Sequence, residues 1–354
     1  MEGHRARLEG DRRVTSAGDA ARPLRLLLSS AAARDLSSGV SEALGGASWI
    51  HVAPGDTGTD FDVAFISRDV TGLSTKHEVQ PATQVFYDAL LAAPSLQWVH
   101  VHSAGADRPV YVTLRERGVR VTTSSGANAP VVAISALTGI LALARHLPLL
   151  LAAQREHRWA PLFASGVPRD LDGQSAVVVG WGPIGQRIGV LLQALGLRVA
   201  VARQSSLSAG AEIPTVQYKQ LHRLLPQADW LVLCCPLSAE THFLVNEAAL
   251  ARLPRGAHVV NVARGDVVDE NALIAALSSG ALAGAYLDVF AHEPLTSDSP
   301  LWAFPNVIVT PHSAGFSGGN EQRVARMFLE NLDRWARGEP LAKLAGDAVT
   351  LTEL

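Results

Sequence analysis

Short apolar runs alternate with helix-length segments along the chain from residue 23 onward. Apolar strands separated by helical segments are typical of parallel sheets whose two faces are both covered by helices. We therefore predict an α/β protein of two Rossmann-like or flavodoxin-like lobes, each a doubly wound parallel sheet, with a cleft between them. The first series of runs is 24–30, 48–53, 61–67, 96–102 and 119–125, and the second is 175–180, 197–202, 229–235, 257–263, 284–290 and 306–311.

Two helical segments decide how these series divide into domains. Apolar and small residues from about Ala129 to Ala153 predict one long helix between the two series. After the last strand, residues 318–338 keep apolar side chains at helical spacing, and one helix alone cannot form a third domain. We expect this helix to cross back and pack on the first lobe. The predicted domains are residues 23–126 with 313–354, which bind substrate, and residues 127–312, which bind a dinucleotide.

The composition fits a two-lobed protein and argues against several classes of partner. A chain of 354 residues and 37.4 kDa is too long for one compact core. Hydrophobic residues make up 48%, charged residues 18%, and the formal net charge is -3, so there is no excess of positive charge for nucleic acid or an anionic membrane. The longest apolar stretch, 131–144, is shorter than the roughly 20 residues that span a bilayer. We expect neither nucleic acid nor membrane as a partner.

The N-terminal segment and the cysteines bear on the cellular compartment in which the protein is expected. Residues 1–22 contain five arginines but also four acidic residues and no apolar segment, so they match neither a secretory signal nor a transit peptide. We predict a disordered tail there. The only cysteines, Cys234 and Cys235, are adjacent, which disfavours a disulfide and excludes the CxxC spacing of a zinc site. The cysteine usage favours the reducing cytoplasm and no bound metal.

A glycine-rich turn follows the first strand of the second series. Gly180, Gly182 and Gly185 form a GxGxxG string between the strand and a helical segment. In such a turn the first glycine permits a sharp bend, the second lets the backbone approach a pyrophosphate, and the third permits close packing of helix on strand. The N-terminus of the helix then supplies N–H groups to the phosphates. This context predicts a dinucleotide site.

The residue at the end of the next strand bears on which dinucleotide binds. NAD-binding units usually carry an Asp or Glu there, which accepts hydrogen bonds from the ribose hydroxyls. This chain has Arg203 instead, followed by Gln204 and Ser205. A guanidinium can pair with a 2′-phosphate and a serine can donate to it, so we predict NADP(H) as the preferred cofactor and NAD(H) as the alternative. Arg203 would otherwise be an ordinary solvated arginine.

Three polar residues follow later strands of the second series. Ligands of doubly wound sheets bind beyond the carboxyl ends of the strands, where Arg264, Glu293 and His312 are expected. Reduction of a 2-keto acid needs a cation for the carboxylate and carbonyl, and an acid that protonates the new alkoxide. Arg264 suits the first role and His312 the second, with Glu293 hydrogen-bonded to the imidazole to orient it and favour its protonated form.

At these residues the sequence resembles the D-isomer-specific 2-hydroxyacid dehydrogenases, which include glycerate, phosphoglycerate, glyoxylate/hydroxypyruvate and phosphite dehydrogenases. The resemblance runs from about residue 97 to 336, and the spacing of 29 residues from Arg264 to Glu293 and 19 more to His312 fits the family. The shared motifs are the glycine turn, Pro236–Thr241, Asn261–Asp269, Asp288–Phe290, Pro300–Trp302 and Thr310–His312.

The resemblance implies an activity and a set of contacts. The activity is NAD(P)-dependent interconversion of a small 2-oxo acid and its D-2-hydroxy acid, in a homodimer built through the interdomain helices. Arg264, Glu293 and His312 would be catalytic, and Ala104 and Gly105 would hold the substrate with Arg264 and His312. Asp288 would contact the nicotinamide amide. The full set of expected cofactor contacts is Gly180, Gly182, Pro183, Ile184, Gly185, Arg203, Gln204, Ser205, Cys235, Pro236, Thr241, Val262, Ala263, Asp288, His312 and Ala314.

Other interpretations stay open from the sequence. A related fold serves in NAD(H)-sensing corepressors, although a pure sensor does not need Arg264, Glu293 and His312. Phosphite oxidation is a second alternative. Arg68, which follows a first-lobe strand, could also reach the substrate.

Overall fold

The computed structural model describes residues 22–56, 60–75 and 78–346. The predicted disordered tail lies outside these residues except for Arg22, whose guanidinium donates to the Asp62 carboxylate at 3.0 Å. Residues 347–354 of the predicted substrate domain also lie outside them.

The first lobe contains a parallel sheet of five strands within the described residues, in the order β2-β1-β3-β4-β5. This is the flavodoxin-like order, with helices on both faces. The central strands β3 and β4 are buried at every residue, which explains why they read as continuous apolar runs. The strands are β1 Leu24–Leu27, β2 Trp49–Val52, β3 Val63–Ile66, β4 Trp98–Val101 and β5 Arg120–Thr123; the helices are α1 Ser30–Ala43, α2 Arg68–Thr71, α3 Pro81–Ala92 and α4 Pro109–Glu116.

The second lobe contains a parallel sheet in the order β12-β11-β10-β9-β6-β7-β8. Its inner strands follow the Rossmann order, so the predicted α/β fold of two parallel-sheet lobes is confirmed. The strands are β6 Ser175–Val179, β7 Arg198–Arg203, β8 Thr215–Gln217, β9 Trp230–Leu233, β10 Ala257–Asn261, β11 Leu282–Leu287 and β12 Val307–Val309. The helices are α5 Ala129–Ala144, α6 Leu147–Arg155, α7 Leu162–Ser165, α8 Pro183–Ala194, α9 Glu247–Leu250 and α10 Glu270–Ser278, with 3-10 turns at Tyr218–Arg223, Leu225–Gln227, Gly265–Val267 and Pro300–Trp302.

The second sheet has one strand more than the six apolar runs predicted. The additional strand, β8, is a three-residue edge strand that pairs with the end of β7. Its sequence, Thr-Val-Gln, has a single apolar residue, which is too little for a hydrophobic pattern.

The prediction of one long helix from Ala129 to Ala153 is wrong, because the segment forms two helices, α5 and α6, that meet at 70°. His146 separates them in the left-handed region, with φ 52°. Pro148 lies in the first turn of α6, where its missing N–H is tolerated and where proline favours a new helix start. No single helix in the described ranges is apolar and long enough to cross a membrane, and this bent pair meets the length and apolarity criteria only when its halves are combined.

A final helix, α11 Asn320–Ala336, packs beside α1 of the first lobe. Its apolar face joins the core beneath the first sheet, where the Phe328 ring stacks on Phe65 with centroids 4.5 Å apart. The segment between β12 and α11 therefore crosses from the second lobe to the first, and residues 312–319 lie where the two lobes meet.

Candidate active site

The glycine turn between β6 and α8 is closed toward the sheet and open on its outer side. Gly180 has φ +102°, and a Cβ on it would lie 2.7 Å from the Cys235 nitrogen. A Cβ on Gly185 would overlap the Gly180 carbonyl oxygen, so neither position accepts a side chain. A Cβ on Gly182 would meet nothing within 4 Å. The open side and the N-terminus of α8 leave room and N–H donors for a pyrophosphate, so the residues present fit a dinucleotide.

Arg203 is the last residue of β7, on the strand that hydrogen-bonds to the glycine turn through Gly180 N and the Ala202 carbonyl at 2.8 Å. The side chain is partly buried and forms no ion pair with another described residue. Nearby, the Ser205 hydroxyl is buried and has no hydrogen-bond partner in the described part of the chain. A buried hydroxyl without a partner is costly, and a ligand oxygen at this position would satisfy it.

The cysteine pair contributes to the wall of this groove. Cys234 Sγ donates to the carbonyls of Val179 and Gly180, each at 3.3 Å. Burial raises the pKa of Cys234 far above its ordinary value, and burial raises the pKa of Cys235 to about 12. Both thiols are therefore neutral at physiological pH, where a thiol is a weak nucleophile.

The following turn is held by the side chain of Thr241. Its hydroxyl donates to the Pro236 carbonyl at 2.7 Å and accepts from Ser238 N at 2.8 Å. Thr241 is fully buried, whereas Pro236 is exposed, so the threonine shapes the turn from within and the proline lies on its surface.

Arg264 follows β10 and lies against a loop of the first lobe. The Asn261 side chain fixes the turn, since its Oδ1 accepts from Ala263 N at 3.0 Å and its Nδ2 donates to the Arg264 carbonyl at 3.1 Å. Arg264 Nε is 3.6 Å from Asp107 Oδ2. A Cβ on Gly105 would lie 2.5 Å from Arg264 Nη2, so a side chain there would require the guanidinium to shift. The structure thus brings Gly105 and Arg264 together from the two lobes.

Asp107 is a site residue to which sequence reasoning assigned no role. It lies two residues beyond Gly105 in the predicted substrate loop, and Ala104 in the same loop is exposed. The signal available in the sequence was a carboxylate after a strand, which is common on protein surfaces. Its pairing with Arg264 depends on how the two lobes face each other.

Glu293 and His312 form a hydrogen-bonded pair. His312 Nδ1 is 2.7 Å from Glu293 Oε2, and Glu293 Oε1 accepts from Phe290 N at 3.1 Å. Burial by itself raises the pKa of Glu293, but the hydrogen bond and charge of His312 outweigh burial and hold this pKa below its ordinary value. Because Glu293 occupies Nδ1, the other ring nitrogen, Nε2, is the atom left for a substrate.

Asp288 holds the turn that carries His312. Its carboxylate accepts from Thr310 Oγ1 at 2.6 Å, from Ser313 N at 2.8 Å and from Ala314 N at 3.0 Å, while its carbonyl accepts from His312 N at 2.8 Å. Burial raises the pKa of Asp288 despite these hydrogen bonds. The carboxylate therefore has a structural use, independent of any contact with a nicotinamide.

The remaining predicted cofactor residues lie around the same groove. Val262 and Ala263 are buried beyond β10, and Ala314 is buried beyond His312. Gln204 is exposed, as is Pro183 at the start of α8, whereas Ile184 is partly buried. The predicted residues of the second lobe thus flank the carboxyl ends of its strands, as the topology requires.

Comparisons with known proteins by family model, by sequence and by structure all find 2-hydroxyacid dehydrogenases or 2-oxo acid reductases. The model of the "D-isomer specific 2-hydroxyacid dehydrogenase, NAD binding domain" matches residues 137–314. A glyoxylate reductase of Korarchaeum cryptofilum is 34% identical over 252 residues, which are 70% of this chain and 75% of that protein. A hydroxypyruvate reductase of Blautia hydrogenotrophica is 30% identical over 252 residues, 70% of this chain and 78% of that one. A crystal structure of a D-isomer specific 2-hydroxyacid dehydrogenase from Xanthobacter autotrophicus Py2, in complex with NADPH and MES, has a TM-score of 0.73 at 30% identity and covers 92% of this chain and 98% of its own.

Proposed function

This chain belongs to the D-isomer-specific 2-hydroxyacid dehydrogenase family, and we propose that it reduces a small 2-oxo acid such as glyoxylate or hydroxypyruvate to the D-2-hydroxy acid. The observation that carries the proposal is the His312–Glu293 hydrogen bond of 2.7 Å on the rim that also presents Arg264. The glyoxylate and hydroxypyruvate reductases among the relatives support the choice of substrates.

The proposed mechanism assigns one task to each side chain. A reduced nicotinamide, when bound, supplies the hydride that the keto carbon accepts. The Arg264 guanidinium holds the substrate carboxylate and polarises the carbonyl. His312 Nε2 donates the proton that converts the resulting alkoxide into the hydroxyl, and Glu293 at Nδ1 orients the ring and favours its charged form before transfer. Ala104 and Gly105 approach the carboxylate from the first lobe, because a small-residue loop leaves its N–H groups accessible.

In this proposal each lobe binds one of the two ligands. Residues 127–312 hold the dinucleotide, and residues 23–126 with 313–354 bind the substrate. The cofactor contacts are those of the glycine turn and the strand ends named above, with Asp288 facing the nicotinamide amide. The packing of α11 on the first lobe supports this division, since it returns the chain after β12 to the first core.

The decisive test is a panel of 2-oxo acids, each assayed with NADPH and with NADH. Substrate-dependent oxidation of the cofactor well above background, with a D-configured product on chiral chromatography, is the expected result. Phosphite with NAD⁺ and NADP⁺ belongs in the same panel. If phosphite is oxidised and no 2-oxo acid is reduced, the proposal is wrong and phosphite oxidation takes its place.

We propose NADP(H) as the preferred cofactor because of Arg203 and the unpartnered Ser205 hydroxyl. Arg203→Asp should lower the ratio of kcat/KM for NADPH to that for NADH by about 10- to 100-fold, since it removes a charge-assisted hydrogen bond to the 2′-phosphate. Arg198→Asp, at the opposite end of β7, is the matched control and should leave the ratio unchanged. An unchanged ratio in the Arg203 variant, or a wild-type enzyme that prefers NADH, would contradict the assignment.

We also propose a homodimer in the cytoplasm, formed through α5 and α6. These helices expose Ile134, Leu147, Leu149 and Leu151, and Trp159 beyond them is 94% exposed. Apolar patches of this kind favour association. Sedimentation at micromolar concentration should give about twice the 37.4 kDa of the chain. Leu149→Glu with Leu151→Glu should shift the mass toward one chain, whereas Ile50→Glu on β2 should not; a monomeric wild type would refute the dimer.

A further inference from the structure

Arg68 is a cation near the segment that joins the two lobes, and the proposed mechanism does not use it. It is the residue after β3 and Ser67, at the carboxyl end of the first sheet, and its side chain is partly buried. Its guanidinium carbon lies 4.6 Å from the centroid of the Phe316 ring. Within the described ranges the guanidinium has no hydrogen bond and no carboxylate within 4.0 Å.

Two neighbouring segments place Arg68 beside the proposed active site. The first is Phe316, which lies four residues beyond His312 on the segment that joins the lobes. The second is the end of β4, next to β3 in the sheet, where His102 N donates to the Ile66 carbonyl at 2.9 Å. The loop after His102 contains Gly105, which approaches Arg264. Arg68 therefore lies between the loop that meets Arg264 and the segment that follows His312.

The stack on Phe316 leaves the donors of Arg68 available. A guanidinium over an aromatic ring can keep the N–H groups around its edge available to an anion. Arg108, whose charge acts on Arg68, already has partners: it donates to the Tyr87 hydroxyl at 3.0 Å and to the Ser74 carbonyl at 2.6 Å.

None of the described groups that interact electrostatically with Arg68 is a second available cation. Burial, followed by the charges of Arg68 and Arg108, lowers the pKa of His102 to about 4, so this histidine is neutral at pH 7. Asp69 accepts from the Ser67 hydroxyl at 2.5 Å. Glu321 acts on Arg68 electrostatically but lies beyond ion-pair distance.

We propose that Arg68 determines substrate specificity by binding a second anionic group, a carboxylate or a phosphate, at the end of a 2-oxo acid remote from Arg264. The inference rests on the proposed function and adds that, among 2-oxo acids, those with two anionic ends are preferred over monoanions such as glyoxylate and hydroxypyruvate. A monoanionic acid such as glyoxylate would engage Arg264 and leave Arg68 without a partner.

The test compares dianionic substrates with matched partners that lack the second charge. The pairs are 2-oxoglutarate with 2-oxopentanoate, and phosphohydroxypyruvate with hydroxypyruvate; the first pair reports a carboxylate and the second a phosphate. In the wild type, kcat/KM should be at least 10-fold higher for the dianion of one pair. Arg68→Gln should remove this preference through a rise of about 10- to 100-fold in KM for the dianion, and should leave the KM for the monoanionic partner within about threefold of its wild-type value.

Three further variants distinguish binding of the second anionic group by Arg68 from a purely structural role of this side chain. Arg68→Lys should keep part of the preference, and Phe316→Leu should weaken it by removing the stack. Arg120→Gln is the matched control, because Arg120 also stacks on an aromatic ring, that of Trp335 at 4.2 Å, but lies at the amino end of β5. Arg120→Gln should leave kcat/KM unchanged for all four substrates.

Specific results would overturn the inference. A wild type without preference for either dianion, an Arg68→Gln variant that keeps the preference, or one that loses activity equally on both partners would each do so. A wild type that reduces no 2-oxo acid would instead reject the proposed function, which the monoanionic partners report independently of Arg68.

Discussion

His312→Asn should lower kcat by at least about 100-fold and up to about 10,000-fold while leaving the Kd for NADPH within about threefold. The variant has no group at Nε2 that can donate a proton to the alkoxide, whereas the glycine turn and Arg203 lie on another part of the sheet. Asparagine is chosen because His312 has φ +50°, a left-handed conformation that asparagine adopts more readily than most residues. Turnover is measured by NADPH oxidation at saturating substrate, and Kd by quenching of protein fluorescence.

A companion variant, Glu293→Gln, keeps a hydrogen-bond acceptor toward Nδ1 but removes the charge. The carboxylate is ionised at neutral pH, since the pKa of Glu293 lies below its ordinary value. We expect a smaller loss in kcat than for His312→Asn, because the proton donor is retained. His292→Gln, on the adjacent exposed residue, should have little effect. A His312→Asn enzyme that keeps a tenth or more of the wild-type kcat would refute the role of His312 as the acid.

The strands could be predicted from the sequence because parallel strands covered on both faces must be apolar throughout. The runs around Val63–Ile66 and Trp98–Val101 show this most clearly. The edge strand β8 could not be predicted, since it is short and only partly buried. The break between α5 and α6 was missed because the segments on both sides of Arg145 and His146 are apolar, and two polar residues alone do not end a helical pattern. Pro148, which marks a helix start, was the signal available.

Some parts of the candidate site followed from chain order and others did not. Arg264, Glu293 and His312 were predicted together because each follows a strand of one parallel sheet, and those strand ends share an edge. The Arg264–Asp107 pair and the Arg68–Phe316 stack were not predicted. Both join segments of different lobes or of distant sequence, and their formation depends on the angle between the lobes, which no local pattern encodes.

Arg264→Gln should lower kcat/KM for any 2-oxo acid by about 30- to 5,000-fold, the effect of removing one partner from a desolvated charge pair. The substrate carboxylate would then be left without its cation in a partly enclosed site. Arg264→Lys should recover only part of the loss, because an ammonium cannot hold a carboxylate with two parallel hydrogen bonds. Arg169→Gln is the matched control, since Arg169 also pairs with an aspartate, Asp229 at 2.7 Å, but at the amino end of β9. This variant should leave kcat/KM unchanged.

The division of the Arg264 effect between KM and kcat tests the mechanism further. A guanidinium that only anchors the carboxylate contributes equally to the ground state and the transition state, so its loss raises KM alone. A guanidinium that also polarises the carbonyl interacts more strongly as negative charge develops on the oxygen, so its loss lowers kcat as well. Arg264 follows a strand of the same parallel sheet as His312, the proposed proton donor to the carbonyl oxygen, so we expect the second pattern, with both constants changed. A rise in KM at constant kcat would restrict Arg264 to anchoring and leave His312 as the only residue of the pair acting on the carbonyl oxygen.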